Sequence, residues 1–301
     1  MATLYTHKSE NIRRTWTLMF AFIVLLVAVG WILAYVLDYA ALLPVAVVFA
    51  VLTTVGSYWW SDKLVVAMSG AKPLAKNDDP ELYRIVENLT ITAGLPMPRI
   101  YVVSDPAPNA FATGRNPEHA IVAVTTGLRQ MLKKEELEGV LAHELSHIGN
   151  RDMLVATIAA VLAGILVMLS DIFLRMMFWG GGRGGDRDNR AGAVLMLVGM
   201  ITVLVLAPIA ATLLRLAISR KREFLADASG ALLTRYPDGL AAALQKIDAV
   251  AVPMRRKGDA ISHLWLADPT PNEKKTSFLT RLFSTHPPVQ ERVRALQEMS
   301  V

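Results

Sequence analysis

The stretch that decides the fold runs from residue 139 to residue 170 and reads GVLAHELSHIGNRDMLVATIAAVLAGILVMLS. Its first half contains two histidines and a glutamate in the pattern H-E-L-S-H, at His143, Glu144 and His147. Its second half, residues 154–170, carries no charged side chain and is mostly aliphatic. An ionisable motif therefore lies a few residues from a segment that is apolar enough for a lipid bilayer.

The spacing of the two histidines favours a metal site. A helix turns by about 100° per residue, so residues four apart return to nearly the same face. His143 and His147 can therefore offer two imidazole nitrogens to one cation, and Glu144 lies beside it as a carboxylate that can move protons. Apolar neighbours indicate a mostly buried helix, in which such groups need partners. Zinc suits these donors, although other divalent ions bind similar ligands. The alternative is a pair of surface histidines without a ligand.

A catalytic zinc site needs a third protein ligand and an open fourth position. The chain has no cysteine, which excludes thiolate ligands, disulfides and cysteine nucleophiles. The remaining candidates are carboxylates and histidines of the second half of the chain: Glu223, Asp227, His263 and His286. Glu223 and Asp227 are four apart, so one can bind the metal while the other orients a ligand histidine. We favour Glu223 as the ligand. The alternative is an acidic pair that balances the basic residues 220–222.

Four uncharged segments predict membrane-spanning helices: residues 15–37, 39–61, 154–170 and 191–214. A hydrophobic content of 53% and a mean hydropathy of +0.38 are too apolar for an ordinary soluble domain. Three segments have 23 or 24 residues, about 35 Å of helix against a bilayer core of about 30 Å. The third has only 17 residues before Asp171, so we expect it to be shallow or tilted unless the helix extends further.

The distribution of charge predicts the orientation in the membrane. Lysine and arginine lie before the first segment, after the second and after the fourth, whereas the first hairpin contains only Asp38. Both termini are therefore expected in the cytoplasm. The same flanks account for the formal net charge of +5, so nucleic acid is not an expected partner. The first segment is too long for the apolar part of a signal peptide and is expected to remain as an anchor.

The predicted organisation is a membrane hairpin at 1–61, a first part of a polar domain at 62–152, an inserted hairpin with a glycine-rich loop at 153–214, and a second part of the domain at 215–301. An acidic cap and a proline at 78–81 predict the start of a helix. Short β-branched runs between 99 and 125 predict a small antiparallel sheet. Helical spacing predicts helices from Lys134 and over residues 218–233, 238–249 and 288–299.

Together these residues resemble a known family. HELSH, followed by a hydrophobic hairpin and REFLADASG and preceded by AGLPMPRIYVVSDPAPNAFATG, is similar to the HtpX-type membrane zinc endopeptidases. These are relatives of the CAAX prenyl proteases in the gluzincin group, and the resemblance covers nearly the whole chain. It implies a mainly α membrane protein with four transmembrane helices and a cytoplasmic gluzincin-like α+β domain. It also implies one zinc ion per chain and a place in the bacterial inner membrane, where misfolded or damaged membrane proteins are cleaved under heat or envelope stress.

The resemblance also assigns roles to residues. The histidine ligands fall on His143 and His147, the general base on Glu144 and the third ligand on Glu223, and Asp227 is the second acid of an E-x-x-x-D motif. The matching edge strand, which binds the substrate backbone by strand addition, comprises Asn109, Ala110, Phe111 and Ala112. STHPPVQERV implies that His286 reaches the site and that Arg292 pairs with an acid there. The alternatives are an ordinary edge strand, a helix-capping histidine and an arginine in solvent.

Two other classes of function remain as alternatives. An intramembrane protease would carry its histidines at lipid depth, but the motif helix opens with the charged residues 133–136 and therefore starts in water. A transporter would carry ionisable groups in mid-span, which the four segments lack. An inactive membrane scaffold with a structural zinc site would be expected to have lost Glu144 or a histidine, and all three residues are present.

Overall fold

The structure is a computed structural model that describes residues 4–180, 220–250 and 287–299, together with residues 206, 208–210, 212, 252–255, 261 and 264–267. Three of the described helices are long and apolar enough to cross a membrane: Ser9–Val36 within α1 (Leu4–Val36), α2 (Leu42–Ser69), and Asp152–Ile172 within α6 (Asp152–Gly180). The third is therefore longer than the 17 residues that its charges suggest.

These three helices pack against one another. Met19, Phe22 and Leu26 of α1 share one buried cluster with Ala50 of α2 and with aliphatic residues of α6. The fourth predicted span lies largely outside the described residues, as does the glycine-rich loop. Leu206 and Ala210 belong to the same cluster.

The other strands and α-helices of the described residues are β1 (Lys72–Pro73), α3 (Pro80–Ala93), β2 (Arg99–Val103), β3 (Ala110–Thr113), β4 (Ile121–Thr125), α4 (Thr126–Met131), α5 (Lys134–Asn150), α7 (Arg220–Thr234), α8 (Pro237–Ala249) and α9 (Val289–Gln297). The predicted start of α3 is confirmed. Asp79 accepts a hydrogen bond of 3.0 Å from the Leu82 N–H group, and Pro80 begins the helix.

The prediction of an antiparallel sheet is wrong, because the sheet is mixed. Its strand order is β1-β2-β4-β3, with β2 parallel to β4 and the other two pairs antiparallel. After β2, residues 104–109 lead to β3, which lies two strand positions away from β2. The completely buried strand β4 then occupies the position between β2 and β3. β3 is therefore left at the edge of the sheet, where it packs against α5.

Helix α5 lies at the centre of the domain, between α3 and β3 on one part of its surface and α7 and α8 on another. Its apolar face is completely buried, with Leu137, Val140 and Leu141 in the main core cluster. Gly139 permits the close approach of α8, since a Cβ atom there would lie 2.7 Å from the Leu240 nitrogen. This packing carries the H-E-L-S-H motif into the interior.

Candidate metal centre

Helix α5 and helix α7 bring three potential ligands together. The Nε2 atoms of His143 and His147 lie 3.2 Å apart. The Glu223 carboxylate lies 3.6 Å from His147 Nε2 and 3.9 Å from His143 Nε2. Ligand atoms of a tetrahedral zinc ion, each about 2.0–2.1 Å from the metal, are separated by about 3.4 Å. The three side chains therefore fit a single tetrahedrally coordinated ion.

The approach of α7 to α5 depends on Gly230. A Cβ atom at this position would lie 2.9 Å from the backbone nitrogen of His143 and 3.2 Å from its Cα atom. The two backbones therefore meet next to the first histidine. Asp227 and Glu223 lie about one and two turns earlier on α7, which directs both carboxylates toward the histidines.

The Nδ1 atom of His143 faces a buried ion pair. It lies 2.9 Å from Asp227 Oδ1, and Arg292 donates to both oxygens of Asp227 at 2.8 and 2.6 Å. Arg292 also lies 3.8 Å from Glu223. Burial would raise the pKa of Asp227, but the charge and hydrogen bonds of Arg292 lower it. Burial lowers the pKa of His143, which favours the neutral imidazole that a metal requires.

The corresponding partner of His147 is Asp152, which sequence reasoning missed. Asp152 Oδ2 lies 3.4 Å from His147 Nδ1. Arg151 makes this contact possible, because its left-handed backbone (φ 57°) turns the chain sharply between α5 and α6. Burial would lower the pKa of His147, but Asp152 and Glu223 raise it to about 9. The sequence signal for this contact is the acidic residue Asp152, which directly follows the helix break at residues 150–151.

Glu144 lies beside the three ligands and is 3% exposed. Burial raises the pKa of its carboxyl group to about 7, although the N–H group of Ala112 donates to it and stabilises the ionised form. A carboxyl group with a pKa near neutrality can both accept and release a proton at physiological pH. The contact also places β3 directly against the centre.

The predicted substrate-binding strand is partly covered by the chain itself. The carbonyl group of Ala110 accepts a hydrogen bond of 2.9 Å from the Leu266 N–H group. The side chain of Asn109 pairs with both backbone groups of Ala267, at 2.9 and 3.0 Å. Phe111 packs edge-on against the buried Trp265, with ring centroids 4.7 Å apart. Sequence reasoning did not identify residues 264–267 as neighbours of this strand.

The other predicted site residues fall in two groups. Arg292 is 1% exposed and lies on Asp227 rather than in solvent. His263 and His286 lie outside the described residues.

A sequence model of peptidase family M48 matches residues 76–300 of the chain. The chain belongs to peptidase family M48. Its relatives include proteins named Protease HtpX homolog. The one from Tropheryma whipplei (strain Twist) is 44% identical over 296 residues, covering 98% of each chain. The one from Streptococcus gordonii is 46% identical over 300 residues, covering 98% of this chain and 100% of the relative.

A solved structure shares the fold of this M48 chain. The crystal structure of S. mikatae Ste24p superposes with a TM-score of 0.50 at 16% identity, covering 98% of this chain and 66% of that chain. The resemblance to the HtpX-type proteases is thus confirmed, and the M48 chain is a membrane metallopeptidase.

Proposed function

We propose that this M48 peptidase is a zinc endopeptidase that hydrolyses peptide bonds in misfolded or damaged membrane proteins. One zinc ion per chain is held by His143, His147 and Glu223. The observation that carries the proposal is the convergence of these three ligands, whose donor atoms all lie within 4.8 Å of one another. Two imidazoles and one carboxylate are a donor set typical of catalytic zinc, and His147 releases its proton when the ion binds.

Glu144 is the general base of the proposed reaction. When bound, zinc supplies Lewis acidity to the scissile carbonyl group and to a water molecule. The Glu144 carboxylate takes a proton from the attacking water and delivers it to the nitrogen of the leaving amine. A pKa of about 7 in the folded protein suits both transfers.

The surrounding side chains keep the ligands in place. Asp227 Oδ1 lies 2.9 Å from Nδ1 of His143, and Nε2 of the same ring faces Glu223 and His147. Arg292 fixes Asp227 through two hydrogen bonds and lies close enough to Glu223 to balance part of its charge. The proposed roles of Asp227 and Arg292 are therefore orientation and charge balance.

Substrate is proposed to extend along the edge strand β3. The backbone groups of Ala110 and Ala112, two residues apart, face the same open edge of the strand. Ala112 lies against Glu144. A peptide paired beside Ala112 would bring its backbone next to the base. Asn109, Ala110 and Phe111 already contact residues 264–267, and the Ala112 N–H group donates to Glu144. We therefore assign the pairing of substrate chiefly to the carbonyl group of Ala112.

The location of the centre suits substrates that are anchored in a bilayer. His147 lies five residues before Asp152, which begins the candidate span of α6. Since α5 packs against both α7 and α8, we propose that residues 62–152 and 215–301 form one domain around the inserted hairpin at 153–214. The lysine- and arginine-rich flanks favour a cytoplasmic active site and cytoplasmic termini in the bacterial inner membrane. A role in heat or envelope stress is proposed from the relatives' family.

The two alternatives fit the contacts less well. An intramembrane protease would need α5 at lipid depth, yet this helix precedes the candidate span and begins with Lys134. A structural zinc site is normally closed by four protein ligands, whereas the group found in the described part of the chain has three.

The test compares the full chain with Glu144→Gln and with Glu138→Gln, a matched control on the same helix whose half-buried carboxylate faces Lys134. Each protein is reconstituted with zinc, and cleavage of an unfolded, membrane-anchored polypeptide is followed by gel. We expect Glu144→Gln to retain its zinc and to lose about 10²–10⁴-fold in rate, while Glu138→Gln cleaves normally. Equal cleavage by wild type and Glu144→Gln would refute Glu144 as the base. Equal rates for anchored and released substrate would refute the membrane preference.

A further inference from the structure

The metal centre has a connection to the N-terminal membrane helix. Asp152 is 5% exposed and divides its two oxygens between two partners. Oδ2 faces Nδ1 of His147 at 3.4 Å, and Oδ1 accepts a hydrogen bond of 2.7 Å from the Asn11 side chain. Asn11 also donates to the carbonyl group of Asn150 at 3.2 Å. A single amide thus contacts both the end of α5 and the beginning of α6.

Asn11 is itself well placed to act as a fixed support. It is 4% exposed on α1, just before the uncharged segment that begins at residue 15. Its backbone belongs to α1, so the position of α1 sets where the amide meets Asp152.

A cationic side chain lies near the same oxygen of Asp152. The Nε atom of Arg222 on α7 lies 3.7 Å from Asp152 Oδ1, beyond hydrogen-bond distance. While Asn11 occupies Oδ1, Oδ2 remains aligned with His147. If Asn11 were removed, Oδ1 would lose its amide donor and the carboxylate would rotate toward Arg222, because a guanidinium paired with a carboxylate carries charge on both partners, whereas the Asn11 amide is neutral. His147 would then lose the group that orients its ring.

We propose that Asn11 and Asp152 form a positioning pair for His147, through which the first membrane helix sets how tightly the centre holds its metal. The proposal rests on the proposed function, since it takes His147 as a metal ligand. Neither residue touches substrate or metal, and both act through the imidazole. Displacement of α1 within the membrane therefore weakens metal binding even when every ligand is intact.

The experiment measures metal affinity rather than cleavage. Full-length protein in detergent is titrated with zinc in competition with a chromophoric chelator, and cobalt(II) is bound separately to record the visible spectrum. The variants are Asn11→Ala, Asp152→Ala and the double variant. The control is Thr15→Ala, which is buried on the same helix and whose hydroxyl donates to the backbone carbonyl group of Asn11 within that helix rather than to Asp152.

We expect Asp152→Ala to weaken zinc binding by about 10–100-fold and Asn11→Ala by about tenfold, because loss of a group that orients a histidine ligand has effects of this size. The double variant should be no weaker than Asp152→Ala, since Asn11 acts through Asp152. The cobalt spectrum should change in all three, and Thr15→Ala should match wild type. If Asp152→Ala does not fold, Asp152→Asn replaces it with a smaller expected loss.

Wild-type affinity in Asn11→Ala would overturn the proposal, and so would additive losses in the double variant, which would show two independent effects. Equal weakening by Thr15→Ala would reduce the effect to general packing of α1 and would also overturn it. A wild-type chain that binds neither zinc nor cobalt would instead refute the proposed function, so the two failures are distinguishable.

Discussion

Substitution of Gly230 by alanine tests whether the contact between α5 and α7 sets the geometry of the centre. The new Cβ atom would lie 2.9 Å from His143 N and 3.2 Å from His143 Cα. Unstrained contacts of this kind are about 3.5–4.0 Å long. Both nearby atoms belong to the backbone of a buried helix and cannot rotate away. Helix α7 must therefore move outward by roughly 0.5–1 Å.

The expected cost follows from two opposing effects. Alanine in a helix interior is favoured over glycine by about 1 kcal/mol, whereas overpacking a buried contact costs about 1–3 kcal/mol. Gly149→Ala isolates the first effect, because its Cβ atom would meet only the Leu95 methyl groups, at 3.8 and 3.9 Å. The two variants should therefore differ by about 1–3 kcal/mol, which corresponds to a Tm difference on the order of 5 °C.

The effect on activity should be larger than the effect on stability. Movement of α7 carries Glu223 and Asp227 away from His143, and a displacement of about 1 Å at a catalytic centre can cost about 10²-fold in rate. Thermal unfolding in detergent and the initial rate of polypeptide cleavage are measured for wild type, Gly230→Ala and Gly149→Ala. A Gly230→Ala protein with the Tm and rate of Gly149→Ala would refute the inferred close packing.

Three further predictions concern individual contacts. Arg292→Ala leaves the Asp227 and Glu223 carboxylates without their shared cation and should destabilise the fold by about 3–5 kcal/mol. Arg292→Lys should restore little of this stability, because an ammonium group cannot make the bidentate contact. A wild-type Tm in Arg292→Lys would contradict this prediction. The pKa of Asp79 is lowered by its hydrogen bonds to Arg129, so its stabilisation is fully present above the ordinary value of 3.8 and is lost as the pH falls through the lower pKa of the folded protein. Asp79→Asn should cost about 1 kcal/mol at pH 7 and progressively less as the pH falls below 3.8. A pH-independent difference in denaturant unfolding would count against the pair. Excess chelator should abolish cleavage and added zinc should restore it, because the proposed ligands are imidazoles and a carboxylate, and the chain has no cysteine to bind the ion as a thiolate. Cleavage that persists after measured loss of metal would contradict a metal mechanism.

Local signals predicted much of the fold and the site. The spacing of His143 and His147 places two imidazoles on one helical face, and the acidic cap at Asp79 marks the start of α3. Both features depend on residues a few positions apart, which a sequence displays directly. The same is true of the uncharged runs in α1, α2 and α6.

Features that depend on distant contacts were harder to predict. The parallel pairing of β2 with β4 follows from where the intervening connection runs, and no residue in either strand encodes that path. Asn11 lies 141 residues from Asp152, and nothing near it suggests a link to the motif. The burial of Trp265 against Phe111 likewise joins segments far apart in the chain. Such contacts are set by packing, which periodicity does not report.

In the proposed function, His143, His147 and Glu223 hold one zinc ion in this membrane peptidase of family M48. X-ray absorption at the zinc edge, recorded on the purified full chain in detergent, tests this most directly. We predict one zinc ion per chain with two imidazole nitrogens and additional oxygen ligands, all at about 2.0–2.2 Å, and with one imidazole fewer in His147→Ala. A zinc environment without two imidazoles, or one that is unchanged in His147→Ala, would contradict the assignment.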